Sequence, residues 1–376
     1  MTKICSDHTK LSFDYVPDVL PCRENQLKEL EMLFYPTTVS RVSQNVHLYG
    51  PVGTGKTVTA RRFCINFKTQ CQNSKIPFEY IHINCRQKMN EHNVTHSIIS
   101  YFKHDFPDRG FSVQEMIQIL AQILNAHKMH LLVVLDEVDV LLRKKADIIY
   151  NLTRINEEGV SEGRISVILI SQTNVISLLD TASLSTFKRS NIIRFEKYTG
   201  DELYLILHAR ALDCLVPGTY SPDLLRFIAE VASATGDARH AIELLENAVI
   251  RAEARGAHEI LLEDVRDARS RECEIDMELL NNLDRQKKIV LLAVAHALKN
   301  RVEATTGEIE RNYEMLCELY NEKKKGHTQF WKYVHELANL GLIHTRSVHT
   351  KGTTTLVSLR DFSSKQISEI LEKMLQ

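Results

Sequence analysis

The sequence predicts an α/β chain of three parts: a doubly wound domain with a parallel sheet, a small helical domain, and a C-terminal winged helix. Three observations carry this reading. Short apolar, β-branched runs recur from Asn45 to Phe195; after Tyr198 they give way to helical spacing; and from about Asp276 three helix-like stretches precede an alternating hairpin pattern. The parts fall at 1–198, 199–275 and 276–376.

The runs of the first part are NVHLYG, FEYIHINC, HLLVVLDE, ISVILIS and NIIRF. Runs of this length, apolar on both faces, fit buried parallel strands, and the amphipathic stretches between them fit crossover helices. In the second part DELYLILHARAL, PDLLRFIAEVAS, ARHAIELLENAVIRAEA and LEDVRDAR each show helical periodicity. The third part starts with RQKKIVLLAVAHAL as a long amphipathic helix, continues with EIERNYEMLCELY and TQFWKYVHELANLGL, and closes on HTRSVHTKGTTTLVSL, the pattern of three helices and a two-stranded wing.

Composition excludes several classes. No run approaches the roughly 18 uninterrupted apolar residues of a membrane helix, and the N-terminus lacks the basic start, apolar core and cleavage site of a secretory signal, so a cytoplasmic, nucleoid-associated protein is expected. The eight cysteines are scattered without a C-x-x-C pair, which argues for reduced structural thiols rather than a zinc module or a disulfide framework. A formal charge of -1 leaves no broad basic field, so any nucleic-acid contact rests on local geometry.

The segment GPVGTGKT from Gly50 to Thr57 satisfies G-x-x-x-x-G-K-[ST] between a strand and a helix. Gly53 and Gly55 let the backbone curl so that successive N–H groups point at phosphate oxygens. Lys56 is then placed to reach the β and γ phosphates, and the Thr57 hydroxyl to ligate Mg2+. The run HLLVVLDE delivers Asp136 and Glu137 at the end of a buried strand beside the loop, Asp136 to hold magnesium through water and Glu137 to polarise an attacking water. Asn174, after Gln172 and Thr173 at the tip of a neighbouring strand, is the candidate to orient that water; the bland alternative is a strand-ending turn. Arg239 lies one turn into the helix opened by Gly236-Asp-Ala, where its planar fork suits a phosphate, with a surface charge as the alternative.

On the third C-terminal helix Phe330, Tyr333, Val334 and Leu337 share one face, leaving Thr328, Lys332, His335 and Asn339 on the opposite one, a donor and acceptor set suited to a major groove. The wing tip from about His349 to Thr354 offers Lys351 as a cation and Gly352 as the turn residue. From Asp276 onward 15 Lys plus Arg stand against 13 Asp plus Glu, a net of +2, so binding is expected to depend on shape and a few contacts.

In this order the pieces resemble an AAA+ ATPase: phosphate loop, acidic pair, sensor Asn, and a helical lid whose GDAR carries a second sensor. DYVPDVLPCRENQLKELE, DFPDRGFSVQEMIQIL, GDARHAIELLENA and the closing winged helix narrow the likeness to the archaeal origin-recognition (ORC/CDC-type) replication initiators. The resemblance spans nearly the whole chain. It implies an AAA+ P-loop domain with a helical lid domain and a winged helix, in which Thr54, Gly55, Lys56, Thr57 and Val58 contact nucleotide while Leu20 to Arg23 close the adenine pocket. It further implies nucleotide contacts for Tyr198 and Arg210, and a minor-groove contact for Arg109, in the segment where this family inserts an extra helical element.

One departure bears on activity. Family members often carry an Arg after the first sensor that acts on a neighbour's nucleotide, but Leu179 to Ser183 lacks it, and Lys188 and Arg189 follow in another register. Such fingers supply on the order of a thousandfold or more in rate, so the expectation is a weak, slow ATPase acting as an ATP- or ADP-held switch on double-stranded DNA at replication origins. A replicative helicase and other initiator paralogues are its candidate protein partners. Two alternatives stay open: a nucleotide-switched transcription regulator, and an AAA+ motor or clamp loader whose winged helix makes protein contacts.

Overall fold

The computed structural model describes the chain except for residues 1–2, 144–146, 157–161, 177–190, 270–276, 300, 350–352 and 360–362. The described residues form two compact units, one of Asp14–Glu202 with Thr235–Ala238, the other of Met1–Phe13, Leu203–Ala234 and Arg239–Gln376.

The first unit is a five-stranded sheet flanked by helices. In chain order it holds α1 (Glu24–Ser40), β1 (Asn45–Tyr49), α2 (Lys56–Asn73), β2 (Phe78–Asn84), α3 (Glu91–Phe102), α4 (Val113–Ala126), β3 (His130–Asp136), α5 (Asp139–Leu142), α6 (Ile148–Arg154), β4 (Arg164–Ser171) and β5 (Ile192–Arg194). The order across the sheet is β2-β3-β4-β1-β5, and every pairing is parallel. All seven residues of β3 are buried, and alternate ones serve opposite faces. Leu131, Val133 and Leu135 join Val167 and Leu169 in one core layer, while Leu132 and Val134 join Val46, Leu48 and Ile168 in the other. Each such side chain, once fully buried, contributes about 1.5–3 kcal/mol. The strand ending in Asp136 is not β1's direct neighbour, because β4 lies between them.

In the second unit α7 (Gly200–Cys214), which begins in the first, is followed by α8 (Pro222–Ser233), α9 (Ala238–Ala254), α10 (Leu262–Arg269), α11 (Met277–Asn282), α12 (Arg285–Ala297), β6 (Ala304–Thr305), α13 (Thr306–Leu319), α14 (His327–Asn339), β7 (His344–His349), β8 (Thr353–Ser358) and α15 (Ser364–Leu375). Helix starts follow local chemistry: Ser221 caps α8 with Pro222 at its first turn, and Thr305 with Glu308 forms a reciprocal capping box on α13. The wing has three strands rather than two, in the order β6-β8-β7, and a C-terminal helix not foreseen from the sequence packs on α12. Helix α12, expected to be amphipathic, buries seven consecutive residues from Ile289 to Ala295. It is the central post of the winged helix.

The helical part and the winged helix share this unit because two charged residues of α10 tie them together. Arg266, fully buried, donates to the carbonyls of Leu298 (2.6 Å) and Arg301 (2.6 Å) beyond α12 and pairs with Glu263 at 3.2 Å. Glu263 in turn accepts from the hydroxyls of Ser363 (2.8 Å) and Ser364 (2.7 Å) and the N–H of Lys365 (3.0 Å) at the start of α15. The N-terminal residues also group here, not with the sheet. Cys5 forms an antiparallel bridge with Leu215, Ser6 N–H donates to the Cys214 carbonyl at 2.7 Å, and Glu253 accepts from the N–H groups of Ile4 and Cys5, both at 3.0 Å.

Candidate functional site

The loop after β1 turns on two glycines in the left-handed region, Gly53 (φ 71°) and Gly55 (φ 86°), where an L side chain is strained. At both positions a neighbour also fills the space of a side chain: a Cβ would lie 1.7 Å from Asp237 Oδ1 at Gly53, and 2.5 Å from the Tyr198 hydroxyl at Gly55. Asp237 belongs to the GDAR stretch. That stretch is held to the loop by Ala238 N–H donating to the Gly53 carbonyl (3.1 Å) and to Tyr198, whose N–H donates to the Gly236 carbonyl (3.2 Å). Thr54 is buried and donates its hydroxyl to the Pro51 carbonyl at 2.9 Å, and Val58 is half-buried on the first turn of α2. The buried Lys56 ammonium donates to the carbonyls of Gly50 (2.6 Å) and Pro51 (2.5 Å), so it lies folded along the loop.

Thr57, at the start of α2, and Asp136 meet: the hydroxyl donates to Asp136 Oδ2 at 2.8 Å although β4 separates β3 from the β1 strand that leads into the loop. Burial pushes the Asp136 carboxyl up. The hydrogen bonds and charge that it receives from His82 (3.1 Å), Thr57 and the Glu137 N–H (2.9 Å) outweigh this and hold it below the ordinary carboxylate range. An ionised carboxylate beside a hydroxyl is the hard-oxygen set that suits magnesium, which keeps several waters and takes few protein ligands. Glu137 follows with φ 55°, an uncommon conformation for a residue with a side chain, and its carboxylate pairs with Arg86 Nε at 2.8 Å.

The tip of β4 is tied to β1 by a buried chain of hydrogen bonds. Ser171 donates its hydroxyl to the Thr173 carbonyl (2.5 Å), so His47 Nε2, 2.7 Å from Ser171 Oγ, donates its proton to that hydroxyl oxygen. Burial drops the His47 imidazole to about 4, which keeps it neutral. Asn174 is exposed, and its side-chain carbonyl accepts the Ile176 N–H at 3.1 Å, forming a local turn.

Arg23 packs under the same loop. Its Nε donates to the Thr54 carbonyl (2.9 Å), Nη1 to Cys22 (2.7 Å) and Nη2 to Glu196 (3.0 Å), and the guanidinium lies 3.7 Å from the Tyr198 ring centre. Tyr198 is buried, which pushes its phenol well above its usual range. In the other unit Arg210 is buried and donates to the Lys10 carbonyl at 2.6 Å, while Arg239, exposed at the start of α9, stands 5.6 Å from the centre of the Phe13 ring.

On α14 the two faces separate as the periodicity predicts: Phe330, Val334 and Leu337 are fully buried, and Thr328, Lys332, His335 and Asn339 are exposed. The His335 ring lies against Trp331 with centroids 5.1 Å apart, and Lys332 Nζ stands 4.0 Å from Glu336. Arg109 is exposed in the loop between α3 and α4, which Phe106 and Phe111 pin by stacking at 5.0 Å. Lys351 and Gly352 lie outside the described residues, as do Leu179 to Ser183, Lys188 and Arg189.

Sequence reasoning passed over His82 and Arg86, whose places beside Asp136 and Glu137 need the sheet order, and Asp237, whose place against Gly53 needs the fold.

Three family descriptions tile the chain: an AAA domain over 41–179, a Cdc6 AAA+ ATPase-type lid domain over 204–270, and a CDC6 C-terminal winged helix domain over 278–368. The ORC1-type DNA replication protein 2 of Saccharolobus solfataricus is 32% identical over 383 residues, covering 97% of this chain and 92% of that protein. The chain belongs to the Cdc6/ORC1-type replication-initiator family. The structure of Cdc6p from Pyrobaculum aerophilum, another member, superposes with a TM-score of 0.81 at 30% identity, covering 99% of this chain and 98% of that one. The Aeropyrum pernix ORC1 protein, solved in complex with DNA, gives 0.66 at 30% identity with the same coverage. Among the described residues of this family member no helix is long and apolar enough to cross a membrane.

Proposed function

We propose that this initiator binds ATP and ADP with Mg2+ at the loop from Gly53 to Val58, binds duplex DNA at replication origins, and uses the nucleotide as a conformational switch with slow hydrolysis. The observation that carries the nucleotide half is the Thr57–Asp136 hydrogen bond of 2.8 Å, which converges the loop and the acidic strand on one point. In this reading Thr57 and Asp136 hold the magnesium, whose bound charge would neutralise phosphate oxygens, and Lys56 swings from the loop carbonyls to phosphate. Tyr198, Arg210 and Arg239 complete the nucleotide contacts, Glu137 acts on the attacking water, and Asn174 orients it. The Aeropyrum pernix ORC2 protein, 25% identical, has been solved in an ADP form, which supports nucleotide binding.

The DNA half rests on the exposed set Thr328, Lys332 and His335 of α14, with Lys351 and Gly352 at the wing and Arg109 on the AAA domain; the DNA-bound ORC1 relative supports it. A division at 1–198, 199–275 and 276–376 marks nucleotide-binding, lid and DNA-binding roles, and a replicative helicase and other initiator copies are the protein partners. Genome-wide footprinting with the parent chain and Lys56→Ala tests the whole. Protection of repeats beside replication origins, with ADP absent from the purified variant, is expected. Protection of scattered promoters, or a variant still carrying ADP, overturns it.

A further inference from the structure

Strand residues alternate between faces, so β2 presents Phe78, Tyr80 and His82 to one layer, where Phe78 and Tyr80 pack with Ala60, Phe63 and Phe67 of α2. An imidazole thus ends an aromatic row. Its Nε2 lies 3.1 Å from Asp136 Oδ2, while its Nδ1 is buried and has no hydrogen-bond partner among the described residues. A buried ring nitrogen left without a partner costs stability, so a phenyl ring would serve the packing better. The hydrogen bond of this imidazole goes to the acidic strand.

An ionised carboxylate only accepts, so His82 Nε2 is the donor. The Thr57 hydroxyl (2.8 Å) and His82 together occupy both lone pairs of Oδ2, and the Glu137 N–H holds Oδ1 at 2.9 Å. Of these three donors, Thr57 is itself a magnesium ligand in the proposed function, and the Glu137 N–H belongs to the next residue, whose backbone turns with φ 55°. His82 is the one supplied by a neighbouring strand, in register with Val134 on the β2–β3 ladder. We infer that His82 is the positioning residue of Asp136, fixing the orientation in which this carboxylate serves the magnesium that accompanies the nucleotide. The inference rests on the reading that Thr57 and Asp136 hold that ion. Hydrogen bonds to a metal-holding carboxylate set metal affinity by about 10–100-fold.

The test uses two amides that differ in reach. In His82→Gln the amide nitrogen can stand where Nε2 stands; in His82→Asn it stops near the place of Nδ1. Mn2+ is titrated into the full chain saturated with ADP, and the loss of the free-ion electron paramagnetic resonance signal gives its affinity. His82→Asn is expected to weaken Mn2+ binding about tenfold or more, and His82→Gln to stay within about twofold of the parent. Fluorescent N-methylanthraniloyl-ADP in EDTA should bind both variants as it binds the parent, and His82→Asn should add nothing on an Asp136→Asn background. Parent-like Mn2+ affinity in His82→Asn, equal losses in the two amides, or a matching loss of ADP affinity in EDTA overturns the positioning role. Parent-like Mn2+ affinity in Asp136→Asn overturns the magnesium reading instead, and the role of His82 with it.

Discussion

Replacing Arg23 by Lys keeps the charge and removes the fork. The three guanidinium nitrogens each hold a backbone carbonyl, of Thr54, Cys22 and Glu196, and the planar face lies 3.7 Å from the Tyr198 ring centre. An ammonium on a flexible stem has no fixed fork and cannot reproduce that geometry. With two carbonyls losing their donor, at about 1.5–3 kcal/mol for each bond to a charged group and some recovery by relaxation, the expected net loss is about 2–4 kcal/mol. Because the Thr54 carbonyl belongs to the phosphate loop, the loss falls on that loop. Hydrogen exchange read by mass spectrometry on peptides covering Thr54 to Phe63 should show protection reduced by roughly thirty- to several-hundredfold. ADP affinity should weaken in parallel. Protection within threefold of the parent in a folded Arg23→Lys chain would refute the assignment of Arg23 as the loop's anchor.

Lys332→Ala should weaken duplex binding across sequences and lower the salt slope of log K by about one, whereas Thr328→Ala, which removes a single neutral hydrogen-bonding group, should relax sequence preference by about 0.5–1.5 kcal/mol. Anisotropy titrations at several salt concentrations separate the two, and unchanged affinity in the double variant removes α14 as the reading helix. Asp136 has a folded acidity constant below its unfolded one, so its stabilising contribution is present above the ordinary carboxylate range and lost as pH falls through its folded value. Asp136→Asn should therefore flatten the acid limb of the stability curve below the ordinary carboxylate range in metal-free buffer; an unaltered limb contradicts this. Arg266→Met should destabilise the second unit by about 3–5 kcal/mol, because Glu263 and two buried carbonyls lose their partner. The sole tryptophan, Trp331, reports that transition by fluorescence, and an unmoved midpoint would contradict the clamp.

What the sequence made legible was chemistry that needs fixed residue types at short spacing. Gly53, Gly55, Lys56 and Thr57 announce a phosphate loop because few other structures require that combination, and β3 announces itself by seven buried positions ending in acids. The face of α14 was equally plain, since Phe330, Val334 and Leu337 recur at helical spacing. Sheet order was not legible, because nothing local in ISVILIS places β4 between β1 and β3. Nor was β6, whose two residues are too few for a period. The docking of Ser6 on Cys214 joins positions far apart in the chain through one carbonyl that takes both the N–H and the hydroxyl of Ser6, and a lone serine advertises no such partner. Asn174 shows the opposite limit. Its residue type was noticed, yet its side chain spends its carbonyl on the Ile176 N–H, a use that composition and position leave open.

The joint built by Arg266 and Glu263 restricts how this chain can be rearranged in evolution or in the laboratory. A winged helix grafted from another initiator must bring carbonyls at the places of Leu298 and Arg301 and hydroxyls at those of Ser363 and Ser364. Without them it leaves the buried Arg266 and the half-buried Glu263 short of partners in the host. Productive crossovers are therefore expected upstream of Leu262, so that α10 is inherited together with α14, the helix proposed to read DNA. Thr328, Lys332, His335 and Asn339, all exposed and outside that joint, stay free to drift one at a time toward a new target sequence.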